Sequence, residues 1–573
     1  MTRLTLPNLQ DTRHRAFERN RNSKARMTRA SRVIREEWFK VWPDLTVEAG
    51  EPSIENVFTE AAEDKAASAA AIRPDFYVPP RSGTRNDLAE RNAQKGRRIF
   101  MTLAQHSNLE GLQLQFYMDW YVYGLPSGIV WKDWNDPGAM PYVIAVDPQH
   151  LYPLRWNSKG ELSEAMIIKR KPFTELVEEY GPHHPALRTV AGRDPKQFYE
   201  EIIWATETMW AVAIARDAGM TDGDFNYRRP TAVGANRLSS AWLVAPHAHN
   251  LRGNPIVSLR VHSGDREIRG KLDGMLPNLK NAHEWQVEFN LNLRRHMHAP
   301  RLEQNIEPES EYGPDGVVRG VRGPDEAVLA YPRPPVDFAT VDQVDRQIMS
   351  SRGAGHYPQQ RGGDPGASIA SGDAVQLLQG GFNSQMAWAQ LDIARFYRML
   401  FGRLANADEK WSTNQTRRID GFDAGEAYED KYNPRKFWDG DYRVWVSFHA
   451  IGVDTHTQLL NMGAAHRLGW LPSRDAMRRS GLVDNPLAAE RQKGLEYGVT
   501  VFEQGILPAL VQQGDFEAYL EYMDKLDSDQ ATPQAAVQQI LSDMRDGAAR
   551  QPEQAPPPQV TPELLSLIGG GGG

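Results

Sequence analysis

Two histidine groups, His183-His184 and His296-Met297-His298, are the residues of this chain best suited by type to hold a divalent metal. Neither has a carboxylate or a third ligand at metal-site spacing. His283-Glu284 is followed by Trp285-Gln286-Val287, which breaks the H-E-x-x-H zinc pattern. Asp133 and Asp136 form a possible carboxylate pair, but they flank Asn135-Asp136-Pro137-Gly138, whose composition is that of a solvated turn. Gly264-Asp265-Arg266-Glu267-Ile268-Arg269-Gly270-Lys271-Leu272 is the nearest approach to a phosphate loop. It has one residue too many between its glycines, and Leu272 stands where a hydroxyl must reach Mg²⁺. No G-x-S-x-G elbow occurs. The chain has no cysteine, which removes thiolate nucleophiles, thiolate metal sites and disulfides, and fits folding in a reducing cytoplasm. The expectation is a protein that is not an enzyme and carries no metal or cofactor.

Charge is the next signal. Residues 1–35 carry ten Lys+Arg against Asp11 and Glu18, a local net of +8, whereas the remaining 538 residues carry 56 basic and 72 acidic side chains, a net of −16. A basic arm suggests nucleic acid or an acidic partner surface; a solvated helix face over Arg19–Arg35 is the alternative. The acidic body argues against a broad grip on DNA, because such grip comes from neutralising phosphates. No apolar h-region opens the chain, so no signal peptide is expected. The run Met209–Ala215 falls far short of the roughly 18 apolar residues that span a bilayer, so no membrane partner is expected.

The elements that must position any site read as α+β, mainly helical. With 573 residues, 40% hydrophobic and 24% charged, the chain is globular and long enough for roughly three to four domain-sized units. Ser31–Trp42, Asn86–Ser107 and Asn108–Tyr123 read as helices, with Arg73–Gly83 a Pro-rich connector and Gly124 a stop. Gly128–Trp134, Pro141–Val146, Leu162–Arg170 and Glu201–Ile214 read as strands, and Asn157-Ser158-Lys159-Gly160 as a turn. Leu276–Met297 is a helix with a stripe of Leu279, Ala282, Phe289, Leu293 and Met297; Pro277 sits in its first turn. Tyr312-Gly313-Pro314-Asp315-Gly316 and Gly323-Pro324-Asp325 are turns around a small β insert of Val317-Val318 and Ala327–Tyr331. Asp337–Ser351 is helical. Residues 353–372 hold six glycines and two prolines and predict no regular structure. Ser371 can cap a long helix to about Leu404, kinked at Gly380-Gly381. Residues 384–404 leave that helix little polar face, which predicts burial in a large core or between subunits. Lys431–Ile451 returns to a β pattern, and Thr455–Asp546 is helical. The tail through QPEQAPPPQV to five glycines reads as disordered.

A loop of some twenty residues joining two helices is more often functional than not. A nucleotide loop would follow a strand, and here a helix precedes it. The order of a mixed region, helix, β insert, second helix, flexible loop and long apolar helix resembles that of portal proteins of tailed bacteriophages. Local strings are similar too. They are Tyr123-Gly124 before a strand, then Val146-Asp147-Pro148-Gln149-His150-Leu151-Tyr152-Pro153, and Asn254-Pro255-Ile256-Val257 with Gly270–Gly274 before Leu276–Leu293. Others are His466-Arg467-Leu468-Gly469 through Ser473-Arg474, and Gly481-Leu482-Val483-Asp484-Asn485-Pro486. The resemblance covers residues 95–500.

The resemblance implies a ring of about twelve copies at a capsid vertex, assembled in the host cytoplasm, that conducts double-stranded DNA and docks terminase, tail adaptor and capsid protein. It divides the chain into a basic arm with a helical segment (1–95), an α+β wing (96–272), a stem helix (273–298), a clip (299–336) and a second stem helix (337–352). After these come a tunnel loop (353–372), a long kinked wing helix (373–405), a wing β segment (406–454), a helical crown (455–548) and a tail (549–573). His356, Arg361 and Asp364 would face DNA from the loop. Asp315, Arg319, Arg322, Asp325 and Glu326 would face partners at the clip. Trp388, Leu391, Phe396, Leu400 and Phe401 would meet neighbouring subunits. In a ring each side chain recurs once per subunit, so one channel-facing Arg becomes a girdle, and an acidic body lets DNA slide. Another structural head or adaptor protein is the alternative reading. A packaging ATPase is the further one, weakened by the missing phosphate loop.

Overall fold

The computed structural model describes residues 5–43, 54–79, 87–133, 136, 138–190, 197–216, 240–262, 267–297, 301–304, 318–319, 327–330, 339–357, 372–412, 414–423 and 426–448, with isolated positions beyond. The chain divides into two units, residues 1–452 and 453–573. Apart from those isolated positions, the expected crown and tail lie outside the described residues. The first unit is an α+β body with more helix than strand.

It opens on α1 (Leu6–Ile34), a short α2 (Trp38–Val41) and α3 (Val57–Ala70). Strand β1 (Asp75–Tyr77) lies inside the Pro-rich connector and precedes α4 (Asp87–His106) and α5 (Leu109–Met118), which a π turn at Asp119–Tyr123 extends. Gly124 ends this run at φ 68°, where a Cβ would strike the carbonyl of Arg269. Only glycine suits both demands. Strands β2 (Ser127–Trp131) and β3 (Tyr142–Ala145) pair antiparallel, at the predicted places.

β4 (Leu151–Trp156), β5 (Leu162–Pro172), β6 (Phe198–Thr206), β7 (Met209–Arg216) and β8 (Ser240–Ala248) then form an antiparallel five-stranded sheet in sequence order. Helices α6 (Phe173–Tyr180) and α7 (Pro185–Val190) lie between β5 and β6 in the chain, and β9 (Ile256–Ser258) returns to pair with β2. The single strand read over Glu201–Ile214 is two. Thr206 Oγ1 accepts from the backbone N–H of Thr208 and of Met209 and folds the chain into a turn. The apolar run hid that turn because both sheet faces are covered. Ile202, Trp204, Ala211 and Ala213 cluster with α1 residues on one face, and Ile203, Ala205, Val212 and Ile214 cluster with α6 on the other.

The N-terminal segment corrects the sequence reading most. Its helix starts at Leu6 and ends at Ile34, and the predicted helix Ser31–Trp42 spans the break, where Glu36 has φ 56°. Leu9, Ala16 and Phe17 pack on the sheet, Phe17 edge-on to Tyr152 at 4.9 Å. Several basic side chains of this arm are internal couplings. Arg13 pairs with Glu200, Arg26 pairs with Glu267 at 2.8 Å, and the Lys24 ammonium donates to the carbonyls of Pro148, Gln149 and Leu151 at 2.5–2.9 Å.

The chain continues with α8 (Met275–Met297), β10 (Arg301–Gln304), β11 (Val318–Arg319), β12 (Ala327–Ala330), α9 (Ala339–Ala354) and the 40-residue α10 (Gly372–Trp411). Hairpin β13 (Arg417–Asp423)–β14 (Glu426–Tyr432), α11 (Pro434–Trp438) and β15 (Trp445–Ser447) close it, with β15 pairing β1. α10 runs through the largest core. Phe396 meets Phe116 at 5.0 Å, Phe401 meets Phe76 at 4.8 Å, and Leu400 is fully enclosed with them. Most of the apolar stretch is enclosed in this core, while Trp388 and Leu391 of the same stretch stay exposed.

Phe17→Ala removes the ring that fixes α1 to the sheet. It lowers stability by about 3 kcal/mol, read as a lower urea midpoint with native helix content retained below the transition.

Candidate functional site

α8 and α9 are antiparallel neighbours. Ser351 Oγ, near the end of α9, donates to the carbonyl of Met275 at the start of α8 (3.1 Å). Leu276, Leu279, Ala282 and Val287 of α8 are buried, as are Val344 and Ile348 of α9. Phe289 and Leu293, assigned by sequence to the same stripe, are only half-buried in the single chain, so the covered stripe is strongest at the Met275 end. At the opposite end of the pair, β10 sits between β11, which it pairs in parallel, and β12, which it pairs antiparallel. The predicted insert was a hairpin of Val317-Val318 with Ala327–Tyr331. Those segments flank a third strand, Arg301–Gln304, which sequence reasoning missed. Arg319 stands on β11 opposite Glu303. Asp315, Arg322, Asp325 and Glu326 lie outside the described residues.

The root of the glycine-rich segment is well defined. Tyr357 N–H donates to Arg352 O, His356 N–H donates to Gly353 O, and His356 adopts φ 48°, which together close α9 as a Schellman cap. His356 is therefore an exposed helix-terminating residue, on the described side of the segment. Arg361 and Asp364 lie outside the described residues, as does Ser371, the expected cap of α10. Tyr357 is buried, and Gly355 passes so close to Met275 Sδ that a Cβ would collide with it.

Lys65 was not singled out in sequence, and it holds this root. Its buried ammonium donates to Gly355 O just beyond α9 and to Gln385 Oε1 on α10, with the rings of Phe382 and Tyr121 at 5.5 and 5.7 Å. One side chain of α3 thus ties both flanks of residues 358–371. Arg352, also buried, pairs with Glu55 and lies 3.5 Å from Glu60 of α3, a second tie between the same elements. Burial pushes Lys65 down to about 7, with Asp64 opposing, and pushes Lys24 down to about 7, with Asp147 opposing. A lysine in an Ala-rich helix carries no sequence mark of this role; only its place on the buried face of α3 reveals it.

The subunit-facing residues separate into two groups. Phe396, Leu400 and Phe401 are fully covered by their own chain, so they have no surface to offer a neighbour. Trp388 and Leu391 are 62% and 64% exposed, and with Ser384 and Arg395 they form one open stripe of α10. The chemical candidates also acquire places. His184 Nδ1 accepts from the N–H of Ala186 (3.3 Å), and His183 contacts Arg188 at 3.0 Å. His283 lies buried, edge-on to Trp38 and Trp42, and burial lowers it to about 4. Gly270 lets the backbone cross Val122 O, where a Cβ would collide, so it serves packing. Asp136 Oδ1 accepts from Gly138 N–H (2.7 Å) in the predicted turn. His298 lies outside the described residues. Among the described residues no cluster could hold a metal, and no helix is long and apolar enough to cross a membrane.

No protein-family model matches the chain, and no curated protein matches it.

Lys24 and Lys65 both release their protons more easily folded than unfolded, where the ordinary value is 10.5. The unfolded chain therefore binds more protons between pH 7 and 10.5, and stability rises with pH across that window. The urea midpoint is expected to climb from about pH 7 to about pH 9, and Lys65→Met is expected to remove about half of that slope.

Proposed function

We propose that this chain is the subunit of a portal ring that conducts double-stranded DNA through a capsid vertex. The observation that supports this reading is the antiparallel α8–α9 pair. It is rooted in the body by Ser351, Gly355 and Lys65, ends in a small three-stranded sheet, and leads through residues 358–371 into a 40-residue helix. At about 1.5 Å per residue that helix is about 60 Å long. In this reading α8 and α9 are the stem, and the β10–β12 sheet is the clip that docks terminase and adaptor through Asp315, Arg319, Arg322, Asp325 and Glu326. Residues 353–372 approach the DNA, with Arg361 offset by Asp364. The acidic balance outside the N-terminal segment is in keeping with passage of DNA, since each phosphate neutralised adds affinity through counterion release.

Trp388 and Leu391 supply the apolar contact between subunits. Two large exposed side chains on one stripe are an uncovered patch of the kind that marks an interface. Phe396, Leu400 and Phe401 are buried within one chain, so this reading gives the neighbour contact to the exposed stripe.

The test is the mass of the purified full chain in solution. The reading predicts a closed assembly of about twelve copies. Leu391→Glu is expected to break it into smaller species with unchanged helix content. A well-behaved monomer of the unmodified chain at micromolar concentration contradicts the reading.

A further inference from the structure

The two covered faces of the five-stranded sheet differ in their balance of charge, arginine-rich beside α1 and glutamate-rich on α6. On the α1 face an open cleft of about 680 Å³ is lined by Thr12, Arg15, Glu18, Arg19, Leu154, Arg155 and Glu164. That is within the size range of ligand clefts. Arg15, Arg19 and Arg155 are exposed there, and none forms an ion pair among the described residues. Arg15 donates to Thr12 Oγ1 (3.0 Å) and Arg19 to Leu154 O, both uncharged acceptors. The two carboxylates are already engaged, Glu18 with His14 at 3.4 Å and Glu164 by the indole N–H of Trp204 at 3.1 Å. The cleft therefore holds three guanidinium groups against two carboxylates, with Arg155 opposite Glu164 in the β4–β5 register and Arg15 and Arg19 without an ion pair among the described residues.

The other face has the converse imbalance. α6 exposes Glu175, Glu178 and Glu179. Lys171 pairs with two of them and with the buried Glu201, at 3.8, 2.5 and 3.0 Å, Lys169 stands opposite Glu201 in the β5–β6 register, and Glu178 has no ion pair among the described residues. Leu176 anchors α6 among Leu151, Ala165, Ile167 and Ile203, whereas α1 sits among Tyr152, Met166, Ile168 and Ile202. These are alternate residues of the same strands, so the arginine cleft and the glutamate face lie on opposite sides of one sheet. They cannot meet within a chain.

We propose that the arginine cleft beside α1 receives the glutamate face of α6 from a second copy of this chain. Such a contact joins two different patches on opposite sides of one sheet, and repeated head-to-tail it builds rings or filaments. It deepens the portal reading, on which it rests for closure of the ring. It assigns the neighbour contact of the sheet domain to Arg15, Arg19 and Arg155 against Glu175 and Glu178. Being exposed at its rim, the contact weakens with salt.

The experiment tracks assembly of the full chain by mass photometry at low and high salt, for the unmodified protein and two reversals. Arg15→Glu with Arg155→Glu, and Glu175→Lys with Glu178→Lys, are each expected to raise the concentration for half-assembly by about tenfold at low salt. All four side chains are exposed, so helix content stays unchanged; if a reversal unfolds the chain, Gln at the same positions must weaken assembly in the same direction. Mixing the two reversal variants in equal amounts restores assembly, because each altered face then finds its complement on the other chain. Assembly that ignores both reversals overturns this contact and leaves the portal reading standing. So does loss of assembly that mixing does not restore. An unmodified chain that stays monomeric at every salt overturns both.

Discussion

The structure depends on enclosing one long helix. Between Phe382 and Leu404 α10 buries a broad aromatic and aliphatic face, and the stripe of Ser384, Trp388, Leu391 and Arg395 stays open. The first unit supplies the enclosure from several directions. α5 brings Phe116 against Phe396 and Tyr397, β1 and α4 bring Phe76 and Phe100 against Phe401, and the π turn donates the Trp120 indole N–H to Asp392. At its far end Asp408, buried, accepts from Arg417, from Tyr432 (3.0 Å) and from Trp438 (2.8 Å), which fastens β13, β14 and α11. At its near end Gln385 accepts from Lys65. Elements that flank the glycine-rich segment are therefore held by the same helix that organises the core, which gives that segment fixed roots.

Charge in this protein serves two purposes that composition alone merges. The excess of arginine and lysine at the N-terminus reads in sequence as an arm for nucleic acid or an acidic partner surface, or as a solvated helix face. Part of it binds α1 to the sheet: Arg13 meets a buried carboxylate, and the Lys24 ammonium is taken up by backbone carbonyls. The proton balance of Lys24 and Lys65 follows from the same burial. Arg15, Arg19 and Arg155 are a second population, exposed and without an ion pair among the described residues, and only three-dimensional placement separates them from the first.

Much of the local structure was legible in the sequence where one rule dominates. The stop at Gly124, the turn at Asn157–Gly160 and helices α4, α8 and α9 stand where turn chemistry and periodicity place them. β4 was missed because Pro153 argues against a strand, and the sheet accepts it because β4 is an edge strand. A helix over Arg19–Arg35 was one reading of the basic arm, but the start of α1 was not legible because its buried face mixes Leu9, Ala16 and Phe17 with Thr12, Asn20 and Lys24. Polar side chains satisfied by tertiary partners do not register as a hydrophobic stripe. The same reason hid Lys65, the residue that ties the candidate site together. The β insert was half legible: its flanking turns located two strands, but the short Arg301–Gln304 carries no alternation long enough to mark the third.

The proposed portal reading places α8 and α9 of neighbouring copies around a common passage. Single-particle electron microscopy of the assembled full chain examines that placement. The expected image is a closed ring with an axial opening wide enough for duplex DNA, α8 and α9 facing that opening, and residues 353–372 at its narrowest level. A ring without an axial opening, or one with α8 and α9 on its outer rim, rules out a portal.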